Sequence, residues 1–156
     1  MRRTDPRDSF NLQRFIQAQD PVFDKVMEEL RVGEKRRYWM WFIFPQVAGL
    51  GGSEMSRYFA IQSSEEALAY LNHALLGRRL RTCTRLVLEV KERSASDIFG
   101  HPDDMKFRSC MTLFAQIAPD PTLFKQALTH FFHGIPDDWT LSLLDLKQAQ
   151  LPPNQG

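Results

Sequence analysis

Apolar residues recur with the helical period in nearly every segment of this chain, and that pattern leaves little room for any fold but a helical one. Val22, Phe23, Val26, Met27 and Leu30 fall at i, i+1, i+4, i+5 and i+8, with Gly33 as a stop. Leu76, Leu80, Cys83, Val87 and Val90 make one stripe, which predicts a long helix to about Glu92. Leu123, Phe124, Ala127, Leu128, Phe131 and Phe132 give a further apolar face before Gly134. Asp20-Pro21 and Asp120-Pro121 predict helix starts, each an N-cap residue followed by proline at the first helical position. Ser53, Ser63 and Ser94 are placed to cap shorter helices, and Pro102 opens one expected to reach about Ile117. A modest amphipathic stretch spans Phe10 to Ala18, and a last helix is expected from Asp137 to about Gln150. No strand pattern competes. The expectation is an all-α, multihelical single domain over residues 1–156, with about seven to nine helices and loose ends at 1–8 and 150–156.

A chain of 156 residues is long enough for one substantial core. A net charge of +1 gives no electrostatic footprint for nucleic acid, so no such partner is expected. The longest apolar run, Tyr38 to Phe44, is far short of the ~20 residues a membrane-crossing helix needs. Arg2-Arg3 is followed by Asp5-Pro6-Arg7-Asp8, where a secretory signal would turn apolar, so a cytoplasmic location is expected. Cys83 and Cys110 sit in apolar helical patterns and read as buried thiols rather than a disulfide. His130 and His133 could be half of a metal site, but no second pair has metal-like spacing, and a helix end before Gly134 favours cations anyway. No metal is expected. Arg78, Arg81 and Arg85 share the polar face of the long helix and read as a solvated stripe, with Arg85 paired to Glu89 at i,i+4. No serine or cysteine has a recognisable nucleophile context.

The run Tyr38-Trp39-Met40-Trp41-Phe42-Ile43-Phe44-Pro45-Gln46 holds two of the three tryptophans and leads into Gly49-Leu50-Gly51-Gly52-Ser53. Each such aromatic is worth roughly 1.5–3 kcal/mol or more when buried, so the run belongs to a core or to a binding surface. It is apolar on all sides, and a short buried helix stopped by Pro45 is the expected form. As core, Trp39, Trp41, Phe42 and Phe44 simply pack, and the glycines lead to the Ser53 cap. As a site, the aromatics wall a planar ligand, Gln46 supplies an amide, and Lys35-Arg36-Arg37 and Arg57 supply positive charge. The glycine segment could also present amides to an anion, although it matches no phosphate-binding fingerprint.

The sharpest anomaly follows Pro102. At 100° per residue, Phe107, Cys110, Met111, Leu113, Phe114 and Ile117 fill one arc, with Lys106 and Asp103 on it. A lysine and an aspartate three residues apart can pair on one face, here a face that ought to be buried. Two readings stand. Lys106 snorkels out of the first turn while Asp103 complements the helix dipole, or the pair marks a site.

Taken together, K-R-x-Y-W-M-W-F-I-F-P-Q, G-L-G-x-S, G-R-R-L, I-F-G-x-P-D-D-x-K and S-x-M-T-L-F resemble a bacterial family of small helical proteins, domain-of-unknown-function family 1810, often labelled calpastatin in genome annotation. The resemblance spans about residues 10 to 146 in order. It implies an all-α fold and brings no established activity or cofactor. Members typically carry histidine just before W-M-W, where this chain has Tyr38. The positions matching family elements are Trp39, Trp41, Pro45, Gln46, Ser53, Asp104, Lys106 and Thr112. Two functions follow as expectations. The first is a site for a small, planar, anionic, nucleotide-like ligand where the aromatic run meets the helix after Pro102. Trp39, Trp41, Gln46, Ser53, Arg57 and Thr112 would bind it, and Asp103, Asp104 and Lys106 would supply any acid/base chemistry. The second is a non-catalytic helical module that docks a protein partner.

Overall fold

The apolar stripes form helices throughout the computed structural model, which describes residues 7–149. In order they are α1 (Gln13–Gln19), α2 (Phe23–Val32), α3 (Met40–Ile43), α4 (Glu54–Tyr58), α5 (Ser64–Asn72), α6 (Leu76–Glu89), α7 (Ala95–Phe99), α8 (Asp103–Ile117), α9 (Thr122–Phe132) and α10 (Asp138–Ala149). That is ten helices among the described residues, one above the seven to nine expected, and the short helices α3, α4 and α7 span four or five residues each. The β structure among the described residues is a single parallel bridge between Val47 and Ile61. The expected loose ends fall mostly on residues 1–6 and 150–156, which lie outside the described residues, as does the end of the last helix at Gln150. Asp8 is not loose. Its carboxylate accepts the Leu12 N–H at 2.7 Å and the Gln13 N–H at 2.9 Å at the start of α1.

The serine caps form as the sequence predicts. Ser53, Ser63 and Ser94 accept the N–H groups of Ser56, Glu66 and Asp97, and Asp97 returns the bond to Ser94 in a full capping box. The two Asp-Pro starts are displaced. Asp20 still donates its N–H to Ile16, so it ends α1, and α2 begins only at Phe23. Asp120 does organise the next start, accepting both the N–H and the hydroxyl of Thr122, but the helix opens after Pro121. Pro102 likewise stands just outside α8. The long helix α6 stops at Glu89 rather than Glu92, because Val90 turns extended.

The core is organised around α8, whose Phe107, Cys110, Met111, Leu113 and Phe114 are fully buried. It packs along α9, with α5, α7 and α10 against its other sides. Phe44, from the end of α3, meets Phe99 and Phe107 edge-on at 5.8 and 5.0 Å, which locks the aromatic run to α7 and α8. Cys83 and Cys110 are free buried thiols. Burial pushes the Cys83 thiol up to about 12 and raises that of Cys110 as well, which makes both inert at neutral pH. Among the described residues no helix is long and apolar enough to cross a membrane.

Candidate functional site

The two tryptophans of the aromatic run part company. Trp39 precedes the first turn of α3 and is 1% exposed. Its indole N–H donates to Glu29 on α2 at 3.0 Å. The same carboxylate accepts the Arg36 and Arg37 N–H groups and the Arg37 guanidinium. Burial alone would push the Glu29 carboxyl up, but these hydrogen bonds together outweigh it and hold it down at about 2. Trp39 is therefore anchored in the core. Trp41, inside the one-turn helix, points to the other side and is half-buried.

Beside Trp41 lies a cavity of about 310 Å³, mostly apolar, floored by Met40, Phe44, Val47 and Phe59 and rimmed by Gln46, Arg57, Gln62 and Lys106. Its walls are two short segments held together through backbone bonds. Ile61 N–H donates to the Gln46 carbonyl and Ala48 N–H to the Ile61 carbonyl, both at 2.8 Å. Gly49 completes the edge in a left-handed conformation, φ +108°, where a Cβ would press on Leu143 of α10. The far wall is clamped from outside. Arg14 of α1, 8% exposed, donates to the carbonyls of Tyr58 and Ala60 and to Glu66 at 2.7 Å. Glu66, 2% exposed, accepts the Gln62 N–H with its other oxygen.

Lys106 reaches the cavity from the first turn of α8. Its ammonium lies 5.4 Å from the Trp41 ring centre and 3.3 Å from Asp103. The other Asp103 oxygen is 2.9 Å from Lys35, a lysine whose side chain is only 8% exposed and which also lies over the Trp39 ring. One carboxylate thus serves two ammonium groups, and the local charge is positive. Arg57 adds to it, and its guanidinium makes no ion pair or hydrogen bond among the described residues. The same is true of the Gln46 and Gln62 amides and the Trp41 indole N–H. The cavity therefore offers an apolar floor, a flat wall, a positive corner and several uncommitted polar groups.

Of the residues singled out from the sequence, Trp41, Gln46, Arg57 and Lys106 come together here, with Asp103 immediately behind Lys106. The others do not line the cavity. Trp39 is bound to Glu29. Ser53 is occupied as the α4 cap, although Ser56, which it caps, does line the cavity. Asp104 faces His101, 3.0 Å away, and its own helix start. Thr112 is buried, donates to the Arg108 carbonyl, and accepts the Asp137 N–H ahead of α10. Arg36 and Arg37 turn to Glu34 and Glu29. Tyr38, at the family's histidine position, is 84% exposed. Phe59, Ala60 and Gln62 were not legible as site residues, since only the bridge to residues 46–48 brings them in. His133 forms the left-handed end of α9, and among the described residues no group of His, Cys, Asp or Glu is placed to hold a metal ion.

An all-helical domain with an apolar cavity beside an aromatic run is the class these features define. The chain belongs to the family described as a protein of unknown function, DUF1810, whose model matches residues 9–144. It is similar to the conserved hypothetical protein Rv1873 from Mycobacterium tuberculosis, a crystal structure with 50% sequence identity and a TM-score of 0.87, covering 88% of this chain and 99% of that one. No curated protein matches it.

Proposed function

We propose that the protein binds a small planar anion in the Trp41 cavity. The observation that carries this reading is the set of uncommitted polar groups, Gln46, Gln62 and Arg57, around an apolar floor with Lys106 held over Trp41. Polar groups near a core normally find partners, so several left open around one cavity suit a ligand that supplies them. About 310 Å³ is at the small end of the ligand-site range, which suits one aromatic ring system bearing a single carboxylate or phosphate better than a dinucleotide. In this reading Trp41 stacks on the ring, Lys106 and Arg57 meet the anion, and Gln46 and Gln62 set its orientation. Asp103 is a positioning residue. Both its oxygens engage lysines, and it fixes the Lys106 ammonium at the cavity edge. The test is a thermal-shift screen of aromatic carboxylates and mononucleotides, followed by titration of Trp41 fluorescence with any hit. A hit whose affinity survives Lys106→Met unchanged would remove Lys106 from the site.

The interaction-module reading has one observation of its own. Trp139 and Leu146, seven residues apart on one face of α10, are 66% and 59% exposed. A protein partner seated there would shield Trp139, and a Trp139→Ser variant would release it.

A further inference from the structure

A second depression, of about 350 Å³, lies where the end of α5 meets the polar face of α6, lined by Leu71, Asn72, His73, Arg78, Arg81 and Arg85. It shares no residue with the Trp41 cavity and no acidic residue lines it. Gly77 makes the junction close, since a Cβ there would overlap the Leu71 carbonyl. That carbonyl accepts a hydrogen bond from Arg81 at 3.2 Å. The negative end of α5 therefore accounts for Arg81. It does not account for the other two. Arg78 and Arg85 are exposed, and their guanidinium groups have no ion-pair or hydrogen-bond partner among the described residues. The Arg85–Glu89 pair expected from the sequence does not form. Guanidinium groups three and four positions apart on one helix face repel each other and disfavour the helix. The Leu71 carbonyl engages Arg81 alone, and no carboxylate lines the hollow to offset the rest.

His73 adds a directed donor. Its Nδ1 accepts the N–H groups of Leu75 and Leu76 at 3.1 and 3.3 Å, which leaves the ring proton on Nε2. Three guanidinium forks and one imidazole N–H around an open hollow form a donor-rich surface that no carboxylate lines. Planar forks match phosphate oxygens two at a time, and several are needed for a dianion. We infer that the α5–α6 pocket binds the phosphate or diphosphate group of a small molecule, independently of any ligand in the Trp41 cavity. Arg78 and Arg85 grip the phosphate oxygens, Arg81 completes the positive wall, and Asn72 and His73 add donors from the end of α5.

The test is titration of the full chain with inorganic pyrophosphate at low ionic strength, read by calorimetry and by backbone amide NMR. Pyrophosphate should bind, with shifted amides confined to residues 71–85. The double variant R78Q/R85Q should bind at least about tenfold more weakly, because two charge-assisted forks are lost. Lys25→Gln, which removes an exposed cation on α2 away from both cavities, should bind as the unaltered protein does. Absence of binding at 10 mM pyrophosphate would overturn the inference, as would wild-type affinity in R78Q/R85Q. Amide shifts centred on residues 46–62 and 106 would also overturn it, and that readout uses only the unaltered protein. Equal weakening in Lys25→Gln would show charge attraction without a site, and so end the inference too.

Discussion

The segment from Tyr58 to Gln62 separates two polar regions that differ in one respect. On its outer side Arg14 and Glu66 form a buried ion pair in which the guanidinium meets the carbonyls of Phe10, Asn11, Tyr58 and Ala60. No hydrogen-bonding group there is left over. On its inner side the Gln46 and Gln62 amides, the Arg57 guanidinium and the Trp41 indole N–H surround a cavity and have no hydrogen-bond or ion-pair partner among the described residues. The first arrangement completes itself on folding, whereas the second is complete only with something added. Burial alone does not make the distinction. Trp39 and Trp41 stand two apart in sequence, and it is the partner of each indole that separates structural from available.

The comparison is broken most directly at the closed network. Arg14→Leu leaves the Glu66 carboxylate buried without its counter-ion, and removing one partner of such a pair typically costs about 3–5 kcal/mol. Urea unfolding should show that loss. A cost below about 1 kcal/mol would mean that Glu66 finds water, and that the clamp on the cavity wall is weaker than its geometry indicates.

Glu29 comes next. Its folded pKa of about 2 lies below the ordinary value of 4.5, so the unfolded chain binds the proton more readily. Its contribution is therefore present above about pH 5 and is lost as pH falls toward 2. The shift corresponds to roughly 3 kcal/mol. Stability of the unaltered protein minus that of Glu29→Gln, followed by denaturant unfolding from pH 7 to pH 2, should shrink toward zero across that window. A difference that stays flat would show that Glu29 does not hold Trp39 and the 36–37 backbone by its charge.

A smaller effect separates the tryptophans themselves. In single-tryptophan variants, acrylamide should quench Trp139 most, Trp41 less and Trp39 least, following exposures of 66% for Trp139 and 1% for Trp39, with Trp41 between. A bound planar anion should lower the quenching of Trp41 alone. Protection of Trp39 instead would move the site away from the cavity.

How much of this could be read beforehand depended on range. Helix stripes and serine caps are relations within a few residues, and they were legible. Lys106 and Asp103 were legible as an anomaly, because both fall on an apolar arc of their own helix. The Asp-Pro starts misled because Asp20 continues the hydrogen bonding of the helix before it. The Arg14–Glu66 pair spans 52 positions, and no local pattern announces it. The division of labour between Trp39 and Trp41 rests on Glu29, ten residues away on another helix. Thr112 drew notice only through family resemblance, and its hydrogen bonds show it tying α8 to the start of α10.

The smallest expected change in stability belongs to the residue with the largest expected change in binding. Lys106 and Lys35 share Asp103, so Lys106→Met leaves that carboxylate paired with Lys35 at 2.9 Å. No buried charge is orphaned, and the methionine can lie along Trp41. The half-buried Lys106 pair should be worth no more than about 1 kcal/mol, and the fold should hold. Lys35→Met is the contrasting variant. Lys35 is 8% exposed, and its loss leaves Asp103 only the longer contact to Lys106, so it should destabilise by more. Binding should reverse the order. Lys106→Met removes the cation at the cavity edge and should weaken a planar anion by at least about tenfold, a loss of 1.4 kcal/mol or more. Lys35→Met should weaken it less, because the cavity charge stays. Unfolding and ligand titration of the two variants side by side decide the matter. Parallel losses of stability and binding in both would make the lysine pair part of the closed framework, and the cavity would lose its claim to be different.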